Sequence, residues 1–153
     1  MAESQNFKDL LLALNDCGVE YLIVGGYAVM RYSEPRFTKD LDIWVGRTMD
    51  NSRRVFAALA RFGAPLRNDG VTEETFSVEQ TVYQIGVPPI RVDILTSISG
   101  CMFQDAWGRG VPGVMYGVPV RFISLPDLIA NKRAAGRTSD LEHLELLGGE
   151  ALR

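Results

Sequence analysis

The chain has 153 residues, 46% of them hydrophobic and 23% charged, with a net charge of −3. That length closes one hydrophobic core and leaves little room for a second, so a single domain over residues 1–153 is expected. The acidic balance argues against a general nucleic-acid binder, and no apolar stretch approaches the ~18 residues of a membrane span.

In chain order, Asn6 is placed to cap a helix in which Phe7, Leu10, Leu11 and Leu14 repeat on one face, with Gly18 as its stop. Tyr21–Val24 reads as a short buried strand, and residues 26 to about 32 as a short helix. Lys39–Val45 is the second strand, and Asp50 caps a helix carrying Val55, Leu59 and Phe62, closed by Gly63. Phe76–Val87 reads as a long strand and Ile90–Leu95 as another, with Pro88-Pro89 forcing a sharp connection between them. Residues 100–113 read as a loop with a helical turn, and Val114–Ile123 as a hairpin turning at Gly117. Ser124-Leu125-Pro126-Asp127 opens a helix with Leu125, Leu128, Ile129 and Lys132 on one face, ended by Gly136. Ser139-Asp140-Leu141-Glu142 opens a last helix, with Leu141 and Leu144 inward and His143 on the surface. Helices packed on a mixed β-sheet, an α/β (α+β) architecture, follow from this order.

The chemistry concentrates in residues 22–45. A β-rich run stops at Gly25-Gly26, and thirteen residues later a strand begins with Asp40-Leu41-Asp42. Residues i and i+2 of a strand share a face, so Asp40 and Asp42 point together while Leu41, Ile43 and Val45 point into a core. Paired carboxylates repel and need a counter-ion, for which a divalent metal is the simplest choice. A glycine turn at the mouth of a helix offers free N–H groups to a phosphate. In Arg91-Val92-Asp93-Ile94-Leu95 a lone acid interrupts an apolar strand. Such an Asp is paired with a nearby Arg, metal-bound, or at an exposed edge. Lys132, a cation on an apolar stripe, either snorkels to water or meets an anion.

The order Gly25-Gly26, Asp40-Leu41-Asp42 and an isolated hydrophobic–Asp–hydrophobic strand resembles the nucleotidyltransferase superfamily of the DNA polymerase β type. The string GGYAVMRYSEPRFTKDLDIWV, followed late by LPDLIANKRAAGRTSDLEHLELL, is similar to the AbiEii-like toxin nucleotidyltransferases and their small relatives. The resemblance implies a nucleotidyltransferase fold and transfer of an NMP from an NTP to a hydroxyl acceptor, which is RNA, protein or a small molecule. It further implies that Gly25 and Gly26 cradle the triphosphate, that Asp40 and Asp42 bind two Mg²⁺ ions, and that Asp93 is the third metal-binding acid and candidate general base. Lys132 and Arg36 would then meet nucleotide phosphates, Arg36 alternatively bracing its loop. Arg137 and Asp140 match a late Arg–Asp spacing, for which a mutual or helix-capping contact is the first expectation. Larger toxin relatives carry a further C-terminal region, so acceptor recognition is expected to depend on a homodimer or a partner protein. A toxin–antitoxin or phage-defence role is the biological setting the resemblance implies.

The rival reading is a non-catalytic module on the same fold that binds a nucleotide or serves as an antitoxin. Other chemistries are poorly served. One histidine, no nucleophile elbow, no GxxxxGK[ST] and no GxGxxG leave triad, P-loop and Rossmann readings without residues. Cys17 and Cys101 have neither zinc nor disulfide spacing, and the first residues lack the regions of a secretory signal, so a cytoplasmic protein is expected.

Overall fold

The computed structural model describes residues 2–35, 40–87 and 90–148. Helix α1 (Ala2–Asp16) buries Phe7, Leu10, Leu11 and Leu14 completely. Asn6 lies inside α1 rather than capping it, because the preceding residues continue the helix. Strand β1 (Tyr21–Val24) is buried throughout and runs directly into α2 (Gly25–Tyr32). Strand β2 (Asp40–Val45) follows, then α3 (Met49–Phe62). The cap of α3 is Thr48 rather than Asp50: the Thr48 hydroxyl oxygen accepts from Asn51 N at 3.1 Å, and Asp50 sits in the first turn.

The long strand expected over residues 76–87 is halved. Residues 75–77 form a 3₁₀ turn, and β3 covers only Val82–Val87. Ser52 explains the break: its Oγ accepts from Phe76 N at 3.0 Å and donates to Glu73 O at 2.6 Å, so this backbone is bonded to α3 instead of a sheet. Gln80, at φ 59°, then turns the chain before the strand begins. After β4 (Ile90–Leu95) come α4 (Phe103–Gly108), β5 (Val111–Met115) and β6 (Val118–Phe122). The hairpin therefore starts three residues earlier than its sequence signal. Tyr116 and Gly117, at φ 52° and 79°, make the two-residue turn whose twist suits a hairpin. Helix α5 (Leu125–Ala135) is capped by Ser124 and stopped by left-handed Gly136. Helix α6 (Thr138–Leu147) takes Arg137 as its cap, two residues before the expected Ser139 start. Leu144 is buried as expected, but Leu141 is 52% exposed and His143 is half-buried, so the inward face of α6 is rotated from the expected one. The Pro88-Pro89 connection lies outside the described residues.

The six strands form one mixed sheet in the order β3-β4-β2-β1-β6-β5. Pairings β2–β4 and β1–β6 are parallel and the others antiparallel. Leu41, Ile43 and Val45 of β2 are fully buried, and the intervening Asp40, Asp42 and Trp44 share the other face. On that face Trp44 meets Phe103 of α4 edge to face at 5.1 Å. No helix among the described residues is long and apolar enough to cross a membrane.

One polar residue knits this frame. Asn51, 1% exposed, accepts from Glu20 N at 2.8 Å and donates to Glu20 O at 3.1 Å and Gly46 O at 2.8 Å. Asn51→Ala leaves buried backbone groups unpaired and is expected to cost about 3 kcal/mol in urea unfolding; a loss under about 1 kcal/mol would contradict this assignment.

Candidate active site

The parallel pairing of β2 with β4 sets Asp40 opposite Arg91 and Asp42 opposite Asp93. Side chains at paired positions of neighbouring strands project to one face, so the three acids and Arg91 gather there. Arg91 bridges two of them. Its Nη2 lies 3.0 Å from Asp40 Oδ2 and donates to Asp93 Oδ2 at 3.3 Å, while its Nε lies 3.2 Å from Asp93 Oδ1. Of the alternatives open for Asp93, pairing with a nearby Arg is realised by the residue two positions before it.

Asp42 lies outside that bridge. Burial, then repulsion from Asp93 and Asp40, pushes its pKa up to about 7, against the opposing pull of Lys132 and Arg91. Burial also pushes Asp93 up, with Arg91 pulling the other way. Gly25 makes room for Asp42: a Cβ at residue 25 would stand 2.1 Å from Asp42 Oδ2, and its φ of +68° also favours glycine. Gly25 and Asp42 line a cavity of about 500 Å³ together with Asn131, Lys132 and Arg137. Gly26 falls in the first turn of α2 and is not one of the cavity's lining residues. Arg36 lies outside the described residues.

The far wall of the cavity is held by a buried ion cluster. Lys132, 5% exposed, does not snorkel: its Nζ lies 3.2 Å from Asp140 Oδ1. Arg137 Nε donates to Asp140 Oδ2 at 2.6 Å, and Arg137 N donates to the same oxygen at 3.1 Å, which is the expected capping contact. Burial alone would raise the Asp140 pKa, but hydrogen bonds from Arg137 and Lys132 outweigh it and hold the carboxyl below its ordinary range. One carboxylate thus restrains two cations at the cavity. Arg91 and Asp140 were both legible as charges two or three residues from a partner, but their joint role as anchors depends on strand and helix packing.

Whether the acids suit a divalent cation is answered by their oxygens. Asp40 Oδ1 is buried with no hydrogen-bond partner, Asp93 Oδ1 meets Arg91 Nε as an ion pair without a hydrogen bond, and Asp42 is raised by burial and then by its acidic neighbours. Hard carboxylate oxygens with unused lone pairs are the donors that Mg²⁺ takes. Arg91 holds the place of the counter-ion, and among the described residues no three His, Cys, Asp or Glu side chains are gathered closely enough to hold a metal ion. The donor chemistry fits; the placement is that of the arginine-neutralised form.

Residues 3–151 match the family described as "Nucleotidyl transferase of unknown function (DUF2204)". Among solved structures the fold is similar to the crystal structure of ANT(2")-Ia in complex with adenylyl-2"-tobramycin. That likeness has a TM-score of 0.62 at 16% identity and covers 99% of this chain and 90% of the other. No protein with a curated description matches the chain.

The two raised and lowered carboxyls give opposite pH signatures in metal-free protein. Asp42 is neutral in folded and unfolded chains below about pH 4; between there and pH 7 the unfolded chain ionises first, so stability falls as pH rises. Asp42→Asn is therefore expected to stabilise the metal-free protein at pH 8 by on the order of 2 kcal/mol, a gain that vanishes towards pH 4. Asp140 contributes stability above about pH 4 that is lost as pH falls through its depressed value. Asp140→Ala strands Lys132 and is expected to cost about 3–5 kcal/mol at pH 7. Thermal melts of both variants from pH 4 to 8 check these signs; an Asp42→Asn that destabilises at pH 8 would contradict the repulsion.

Proposed function

The chain belongs to this nucleotidyl transferase family, and we propose that it moves a nucleoside monophosphate from an NTP to a hydroxyl acceptor, with Mg²⁺, through the acids of β2 and β4. The observation that carries the reading is the register that sets Asp42 beside Asp93 and two residues from Asp40. Asp40, Asp42 and Asp93 would hold the metal ions, whose chemistry is to neutralise charge on the phosphates and lower the pKa of a bound hydroxyl.

The chain's own residues do the rest. The acceptor oxygen forms a bond to the α-phosphorus while the bond from that phosphorus to the bridging oxygen breaks. Pyrophosphate leaves with the electron pair, and the acceptor proton passes to a carboxylate oxygen. Asp93 is our assignment for that base, since it stands beside Asp42 on the neighbouring strand and burial raises its pKa. Lys132 and Arg137 line the same cavity as Gly25 and Asp42, which supports a triphosphate lying between the β1–α2 turn and the α5–α6 corner. Gly25 allows close approach there, and Asp140 keeps the two cations in place.

Transfer of label from each α-labelled NTP, with Mg²⁺ and fractionated cell metabolites, RNA and protein as acceptors, tests the reading. Asp42→Asn and Asp93→Asn are expected to lower kcat/KM at least 10³-fold with the fold intact. Transfer that survives both changes would overturn the assignment. NTP binding with no product in wild-type protein would point instead to a binding module.

A further inference from the structure

A second cavity of about 460 Å³ adjoins the first, sharing Gln80, Ser97 and Ile98 with it. Its own wall includes Trp44, Phe103 and Met102, with Arg47 and Glu79 at the polar side. Trp44 is the next residue after Asp42 on the acidic face of β2, and it pairs with Leu95, which lines the first cavity. Two residues along a strand is roughly 7 Å, so this cavity opens within a small molecule's reach of the acids.

The wall is built rather than incidental. Trp44 is 1% exposed, and its Nε1–H is buried with no hydrogen-bond partner. Phe103 packs edge to face on Trp44 and is itself stacked on Trp107 at 5.7 Å. Gly46 makes that packing possible, since a Cβ there would stand 2.9 Å from the Phe103 ring. Gln80, on the partition between the cavities, is held at φ 59°, an uncommon backbone conformation for a residue with a side chain.

We infer that this second cavity is the acceptor site, and that the acceptor is a small hydroxylated molecule, neutral overall, rather than a nucleic acid or a protein. The inference rests on the nucleotidyl-transfer reading and extends it to the substrate class. A cavity of this size falls within the range of small-molecule sites. Among the described residues its charged lining is one guanidinium, Arg47, and one carboxylate, Glu79, which together make no cationic track for a phosphate backbone. Burial pushes the Cys101 thiol up to about 11, so that part of the wall stays neutral. The acceptor would present one hydroxyl towards the first cavity and an apolar face to Trp44 and Phe103. On transfer, that hydroxyl oxygen bonds to the α-phosphorus, its proton goes to a carboxylate, and pyrophosphate departs.

Saturation-transfer NMR with glucose, myo-inositol and uridine, each at millimolar concentration, reads the cavity without chemistry. Expected is saturation on the protons of at least one of them, lost at least fivefold in Met102→Trp, which puts an indole at the mouth. Met102 is 69% exposed, so this change does not threaten folding. Trp44→Phe, which trims the indole to a single ring in the cavity wall, is expected to weaken the same signal about threefold. No saturation on any probe, or a signal unmoved by both variants, overturns the inference. In the labelled-NTP assay the inference requires product in the small-molecule pool, with Met102→Trp raising the acceptor KM at least tenfold and the NTP KM less than twofold. Label found only in RNA or protein overturns the acceptor site while leaving nucleotidyl transfer standing. Absence of NTP binding with Mg²⁺ sinks the transfer reading instead, and the NMR result still decides the cavity.

Discussion

Parallel pairing of β2 with β4 crowds Asp40, Asp42 and Asp93 onto one sheet face with a single guanidinium, Arg91, among them. Among the described residues one arginine bridges two of the three carboxylates, and Asp42, partly offset by Lys132, is left in a partly buried place beside them. Burial, and then repulsion from Asp93 and Asp40, pushes the Asp42 pKa up to about 7, so the metal-free form carries a local electrostatic conflict. Such a conflict has no structural use. Under the proposed transfer reading a dication would relieve it, so the feature that weakens the free protein is the one that would receive a metal-bound triphosphate.

The opposite wall follows the reverse logic. Asp140 is fully buried, yet two hydrogen-bonded cations hold it ionised. Lys132 comes from the last turn of α5 and Arg137 from the corner before α6, so their shared carboxylate also fixes how the two helices meet. A buried cluster of this kind contributes little net stability and much positional order. Asp42 on the sheet and the ordered cations on the helices line one cavity, with Gly25 admitting Asp42 close to the backbone between them.

Much of this was legible in the residues. The i, i+2 spacing of Asp40 and Asp42, the lone acid in an apolar strand and the glycine turn each carry a local signature, and strand periodicity translates them into a shared face. The late Arg137–Asp140 contact follows from capping chemistry alone. Other features depend on distant partners. Nothing local shows that Phe76 N would bond to Ser52, which cut the expected long strand in half. Likewise, Asp50 and Thr48 are both good caps, and the geometry of Asn51 chose Thr48. Lys132 could be placed on a buried stripe, but the carboxylate that receives it lies eight residues on, beyond a helix break. The second cavity had no sequence signal, since Trp44 reads as an ordinary core aromatic until its unpartnered N–H is seen beside Phe103.

Divalent-cation binding is the most direct measure of the central claim, because it reads the acids without needing the acceptor. Mn²⁺ titrated into the protein with a non-hydrolysable NTP analogue, followed by water-proton relaxation, reports ions held at the site. The account predicts tight Mn²⁺ binding by the wild-type chain, weakened at least tenfold in Asp42→Asn although that variant is the more stable protein. Mn²⁺ binding that is absent from the wild type, or unchanged by Asp42→Asn, would contradict it.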